Sequence, residues 1–301
     1  MGRKSLPRRT RLQRQVELDA LVPLQQRFSW QGISFPVNED WRPVVFSGTE
    51  REGYVRLEGE NEGKIQLRWN LSRVCPNLER NLAKYFDALK RGAKKRGFVF
   101  QGGHENSSPH ALLFEWHAGN KGYGCIAYQS ATKHVILLER SGRREDSFKR
   151  EARILWENLQ TYPVETQADV LRPWEVYGLS VRLPVKYKLD SFRFLSGRTT
   201  LFFRSKGARL KAERWGFAKQ LIEKHGFVEW ACAATGLQNV LSLQTENDEE
   251  KLVLSGRPVL WKRFLFREAK ALISYHRNRN QIALIQSEYS KGNEPRWEWL
   301  G

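Results

Sequence analysis

Cysteine is scarce in this sequence. Only Cys75, Cys125 and Cys232 occur among 301 residues, and no Cys-x-x-Cys pair is present. That excludes a disulfide framework and argues against a cysteine-rich zinc site. Cys125 and Cys232 stand in apolar surroundings (Gly-Cys-Ile-Ala and Trp-Ala-Cys-Ala-Ala), where a thiol serves as a small buried hydrophobe. Long apolar runs are missing too: nothing approaches the ~20 residues of a membrane-spanning helix. Met1 to Gln15 contains no apolar signal core. Taken with the unpaired cysteines, this makes the cytoplasm the expected location.

Catalytic and cofactor signatures are lacking as well. There is no Walker A sequence, no Gly-x-Ser-x-Gly elbow and no kinase signature. The six histidines, His104, His110, His117, His134, His225 and His276, form neither His-Glu-x-x-His nor a finger spacing. His104 and His110 are expected to share a loop with Glu105. Gly119-x-x-Gly122-x-Gly124 has the spacing of a phosphate loop, but a strand pattern follows where such a loop needs a helix N-terminus, so it reads as a hairpin turn. Glu246, Asp248, Glu249 and Glu250 lie in a polar run with Asn247 and read as a solvated loop. No metal and no cofactor is expected, and the reading leans away from an enzyme.

Basic charge and aromatics are what the chain has in quantity. Fifty-one Lys and Arg face 33 Asp and Glu, a formal +18 with a pI near 10.0, and 12% of residues are aromatic. With 40% hydrophobic residues the chain can bury cores. The charge is uneven. Residues 1–16 carry Arg3, Lys4, Arg8, Arg9, Arg11 and Arg14 and no acid; residues 17–160 have 22 basic against 18 acidic, and 161–301 have 23 against 15. A third of the excess therefore sits in an arm with no core-forming pattern.

Period-2 alternation predicts strands at Ile33–Val37, Val44–Phe46, Tyr54–Leu57 and Lys64–Trp69. Leu78, Leu82, Tyr85, Phe86, Leu89 and Ala93 then fall on one stripe of an amphipathic helix that stops at Gly97. Strands are expected at Phe98–Gln101, Ala111–His117, Tyr123–Tyr128 and His134–Leu138, followed by a second helix over Phe148–Leu159. Beyond it, strands are expected at Gly178–Leu183, Ser191–Leu195 and Thr199–Phe203, a helix over Leu210–His225, and strands at Phe227–Ala233, Val240–Gln244, Lys251–Leu254 and Gln281–Ser287. Residues 259–274 fit either helix or strand.

Short matches recur in one order in both halves: Gly32-Ile33-Ser34 with Gly178-Leu179-Ser180, Ser47-Gly48 with Ser196-Gly197, Gly97-Phe98-Val99 with Gly226-Phe227-Val228, and Ala111-Leu112-Leu113 with Ala271-Leu272-Ile273. The last match would place His117 and His276 at one strand end and tip 259–287 toward a hairpin near Asn278-Arg279-Asn280. The fold class expected is α+β, with two tandem duplicated domains, each a mainly antiparallel sheet with one or two packed helices. The division is a basic arm over 1–26, a first domain over 27–162, a linker over 163–174 and a second domain over 175–301.

Beyond the arm, basic residues gather at Arg143, Arg144, Lys149 and Arg150 and again at Lys206, Arg209, Lys211 and Arg214, both read as helix starts, where the dipole disfavours cations and an anion is the natural neighbour. The leading expectation is a non-enzymatic module that contacts nucleic acid or another polyanion, with the arm and both groups forming one strip. The alternatives are a protein-interaction module offering sheet edges or apolar patches, and an enzyme whose groups meet at the domain interface.

Overall fold

The computed structural model describes residues 26–59, 62–143, 148–164, 170–246, 248–257, 266 and 268–294. The arm's basic residues, Arg144 and, of the ambiguous 259–274 stretch, residues 259–265 and 267 lie outside the described residues; 268–274 is strand. Two short hairpins come first in the build. β1 (Gln26–Trp30) and β2 (Ile33–Val37) are joined through Gln31 and Gly32, with φ of 51° and 83°, and β11 (Leu171–Val176) and β12 (Leu179–Pro184) through Tyr177 and Gly178, with φ of 49° and 74°. Two successive positive φ values are the signature of the two-residue turn whose twist matches a hairpin. β1 pairs antiparallel with β11 at Ser29 and Glu175. With β10 (Gln160–Thr161) beside β2, this makes a five-stranded sheet in the order β10-β2-β1-β11-β12.

Each hairpin is followed by a seven-stranded antiparallel sheet. The first contains β3 (Arg42–Gly48), β4 (Glu52–Glu58), β5 (Lys64–Leu71), helix α1 (Leu78–Lys95), β6 (Gln101–Ser108), β7 (Ala111–Ala118), β8 (Asn120–Gln129) and β9 (His134–Arg143), ordered β3-β4-β5-β9-β8-β7-β6. Helix α2 (Lys149–Glu157) follows. The second contains β13 (Lys188–Leu195), β14 (Arg198–Ser205), β15 (Ala208–Gly216), helices α3 (Ala218–Ile222) and α4 (Phe227–Thr235), β16 (Asn239–Glu246), β17 (Glu249–Gly256), β18 (Glu268–His276) and β19 (Gln281–Tyr289). Its order is β13-β14-β15-β19-β18-β17-β16, the same path: three strands, a helical crossover, then four strands that return to pair the last with the third. The fold is thus α+β and dominated by antiparallel sheet. Among the described residues no helix is long and apolar enough to cross a membrane.

One core joins the three sheets. Phe28, Trp30, Ile33 and Phe35 of the central hairpins bury against Val55, Leu57, Ile65 and Leu67 of the first large sheet, and against Leu201, Phe203, Leu210 and Ala212 of the second. Trp30 stands 4.6 Å from Phe46, 5.2 Å from Phe192 and 5.6 Å from Trp174, between the edge strands β3 and β13. On the first large sheet the opposite face takes α1, while α2 contributes Leu155 to the common core. Leu78 and Leu82 of α1 pack on Leu112, Phe114, Trp116 and Leu137, and the helix starts where the Asn77 side chain accepts the Arg80 N–H at 2.7 Å.

A buried ionic clamp crosses the halves. Arg172 of β11, 1% exposed at its side chain, donates from Nη1 to Glu50 Oε2 at 2.9 Å and from Nη2 to the Pro163 carbonyl at 2.8 Å. Lys188 of β13 places Nζ 2.7 Å from Glu50 Oε1. Glu50 sits between β3 and β4, so one carboxylate from the first large sheet neutralises cations from the central sheet and the second.

Several expectations are corrected. Leu210–His225 is not one helix: β15 runs through Gly216, because Leu210 and Ala212 face the core while Arg209 and Lys211 alternate outward between two paired neighbours. Phe217, with φ of 57°, then breaks the chain before the five-residue α3. Phe227–Ala233 is helix rather than strand; it is bounded by Gly226 and Gly236, both at positive φ, and its alanines favour helix. The predicted strand at Phe98–Gln101 starts only at Gln101 and continues to Ser108, so His104 and Glu105 lie on strand β6 rather than in a loop with His110. Residues 171–174, read as the end of the linker, are the start of β11.

Of the four sequence matches, two fall at the same place in both halves: Gly32 and Gly178 in the hairpin turns, and Gly48 and Gly197 after β3 and β13. The other two do not. Gly97 ends α1, whereas Gly226 precedes α4 and Gly236 ends it; Ala111–Leu113 lies on β7, whereas Ala271–Ile273 lies on β18, which takes the place of β8. His117 and His276 are therefore at different positions. The hairpin expected near Asn278-Arg279-Asn280 is present as β18 and β19, turning through Asn280 at φ of 49°.

Candidate anion-binding face

Strands β13, β14 and β15 bring a group of cations together on one face. Antiparallel pairing puts opposed residues on one face, and the register gives the rows Leu195–Arg198–Trp215, Arg193–Thr200–Glu213, Ser191–Phe202–Lys211 and Arg204–Arg209. Helices α3 and α4 sit over the other strands of this sheet, closing on Leu252, Ala271, Ile273 and Leu284. Arg193, Arg204 and Arg209 are exposed.

Glu213 organises the face. It is 0% exposed and its Oε1 accepts from Arg198 Nη2 at 2.6 Å and from Thr200 Oγ1 at 3.1 Å. Its Oε2 accepts from Trp215 Nε1 at 3.3 Å and lies 3.3 Å from Lys211 Nζ. Burial alone pushes this carboxyl's pKa up, but Lys211, Arg198 and Thr200 together outweigh it and hold the group below the usual carboxylate range. Glu213 is thus a fixed anion that holds Arg198 and Lys211 against it, their side chains 35% and 20% exposed. Arg198 also stacks over Trp215, its guanidinium carbon 3.9 Å from the ring centroid, and Arg209 lies 5.6 Å over Phe266. Asp190 lies 3.4 Å from Arg204, and Glu288 stands opposite Arg209. Five cations therefore meet three carboxylates on this face, with Phe202 half-buried among them.

The first large sheet holds a buried carboxylate of opposite character. Glu139 of β9, also 0% exposed, accepts from Tyr85 Oη at 2.6 Å, Trp116 Nε1 at 2.8 Å and Gln66 Nε2 at 3.2 Å. Burial raises its pKa and these neutral donors do not reverse it. Among the described residues no cation forms an ion pair with it; Arg68 is engaged over the Tyr54 and Tyr85 rings, at 5.1 and 5.5 Å.

The residues singled out from sequence are dispersed. Arg209 and Lys211 lie on the β13–β15 face. Lys206 is exposed in the β14–β15 turn, on a hairpin and not at a helix start. Arg214 points to the opposite side, its Nε in the space beside Gly178, where desolvation lowers its pKa. Arg143 ends β9 and pairs with Glu62 at 3.2 Å, while Lys149 and Arg150 are exposed in the first turn of α2. These three belong to the other large sheet and its helix, so the described members do not form one strip. Arg3, Lys4, Arg8, Arg9, Arg11, Arg14 and Arg144 lie outside the described residues. Sequence reasoning missed Arg193, Arg198 and Arg204. They sit on two strands and meet the β15 residues through register: the window 193–211 contains the whole group, but only the pairing of the three strands shows that these side chains share one face.

No family model matches the chain, and no curated protein matches it. Among solved structures it is similar to the cyanobacterial PsbP protein (CyanoP) of Synechocystis sp. PCC 6803, at 12% identity and a TM-score of 0.35, over 47% of this chain and 94% of that one.

Proposed function

We propose that this chain binds single-stranded nucleic acid on the outer face of β13, β14 and β15. The observation that carries the reading is the convergence of Arg193, Arg198, Arg204, Arg209 and Lys211 on three adjacent strands around Phe202. An open sheet face with arginines and a ring offers phosphate contacts and a stacking platform together. The arm of residues 1–16 adds six charges that can follow a strand leaving the face. Anisotropy of a fluorescein-labelled oligothymidine, titrated across salt, tests this. Replacing Arg193, Arg204 and Arg209 with Ala should flatten the plot of log affinity against log salt by about 0.7 per lost contact. Salt-independent binding, or an unchanged slope in that variant, would refute it.

A second reading has one observation of its own. β16 is an edge strand, paired among the described residues with β17 alone, with Val240 49%, Leu241 56% and Leu243 50% exposed, a ready template for strand addition by a protein partner. Leu243→Lys should block such docking and leave oligothymidine binding unchanged. We further infer that the segment from β1 to α2 and the segment from β11 to β19 are two copies of one α+β unit, on the strength of their common strand order and equivalent first hairpins. A reducing compartment, the cytoplasm, suits the three unpaired thiols.

A further inference from the structure

A cavity of about 260 Å³ lies between β6, β7 and β8 and the helix α2, on the face of the sheet that β5 and β9 turn to the common core. It is on the first large sheet and does not depend on the nucleic-acid reading. Its floor is apolar: Cys125 is buried, and Leu113 and Trp156 pack against it. Its two sides carry opposite charge. On the sheet, Leu113 pairs with Glu105 and Glu115 with Gly103. Glu105 and Glu115 are therefore diagonal neighbours on one face, about 7 Å apart. On the helix, Lys149, Arg153 and Trp156 share the face turned to the cavity, at the i, i+4, i+7 spacing.

None of these four charged side chains makes a hydrogen bond or ion pair among the described residues. Two carboxylates and two cations thus face each other across a gap that neither pair closes. Gly103 borders open space in this gap: a Cβ there would meet nothing within 4 Å, so a larger side chain at this position would grow into the cavity.

We propose that this cavity binds a small zwitterion of the amino-acid class with a flat apolar side chain. Its ammonium faces Glu105 and Glu115, its carboxylate faces Lys149 and Arg153, and its side chain lies on Trp156. The volume falls just below the range of drug-sized pockets, as suits a ligand of this size. The thiol of Cys125 is no nucleophile for such a ligand, because burial pushes its pKa up.

Calorimetric titration with L-phenylalanine, L-tryptophan and L-leucine tests the site, against phenethylamine and 3-phenylpropionate, which each keep one charge. At least one amino acid should bind to the unmodified protein, and both single-charge analogues should bind more weakly by at least roughly tenfold. Lys149→Gln with Arg153→Gln, two exposed helix substitutions, should erase the preference for the zwitterion over phenethylamine. Gly103→Leu should abolish binding. No binding of any of the three amino acids up to about 10 mM would overturn the proposal. So would equal affinity for the single-charge analogues, or unchanged binding in the helix variant.

Discussion

Replacing Glu50 with Gln keeps the side chain's shape but removes the one carboxylate that, among the described residues, contacts Arg172, whose side chain is 1% exposed. The Pro163 carbonyl remains as its other partner, at 2.8 Å. Removing one member of a buried pair leaves the other desolvated and uncompensated, at a cost of about 3–5 kcal/mol. Lys188, 43% exposed, recovers water and adds little. At this chain length each kcal/mol lowers Tm by roughly 2 °C, so Glu50→Gln should melt roughly 6–10 °C below the parent. The exposed pair Arg143–Glu62, with side chains 55% and 64% exposed, is the internal control. Glu62→Gln should shift Tm by less than about 2 °C. Thermal unfolding followed by circular dichroism and tryptophan fluorescence reads both variants. The two probes should move together, because the clamp ties the first large sheet to the central and second sheets. Replacing both partners, Glu50→Gln with Arg172→Met, should recover part of the loss. If Glu50→Gln falls no further than the control, the clamp does not stabilise the fold and the reasoning fails.

The two buried carboxylates predict opposite pH responses. Glu139 has a raised folded pKa, so the native state holds a proton that the unfolded chain releases; its contribution is complete below the unfolded value and is lost as pH rises through the folded one. Glu213 has a lowered folded pKa, so its contribution is present above the unfolded value and is lost as pH falls through the folded one. Urea midpoints measured from acid to neutral pH should therefore flatten on the rising-pH side in Glu139→Gln and on the acid side in Glu213→Gln; equal curves for parent and variants would reject the assignment. Gly32→Ala forces an alanine to φ of 83° against the Tyr162 carbonyl, 3.1 Å from the new Cβ, and should cost about 1–2 kcal/mol by the same urea measurement; a neutral effect would mean that the turn relaxes.

Local pattern was enough where one segment decides its own structure. The stripe from Leu78 to Ala93 with Gly97 behind it, and the alternation of Lys64–Trp69, appear in the fold much as period alone predicts, because α1 and β5 each bury one face. Pattern failed at Leu210–Gly216, a strand paired on both sides, because the helix-like spacing of Trp215, Ala218 and Leu221 belongs to helix only from Ala218, in α3, and at Phe227–Thr235, where nine residues rich in small apolar side chains suit either state.

The sequence by itself determined the antiparallel α+β class, the basic surplus, the turn glycines and the lack of a catalytic signature, since these follow from composition and short-range geometry. Only the tertiary structure decided which charges act together. Arg193, Arg198, Arg204, Arg209 and Lys211 become neighbours through strand register, Arg214 is turned away by the two-residue period of its strand, and Glu50 meets Arg172 across 122 positions. A sheet brings together residues far apart in the chain through backbone pairing, and no linear window records that pairing.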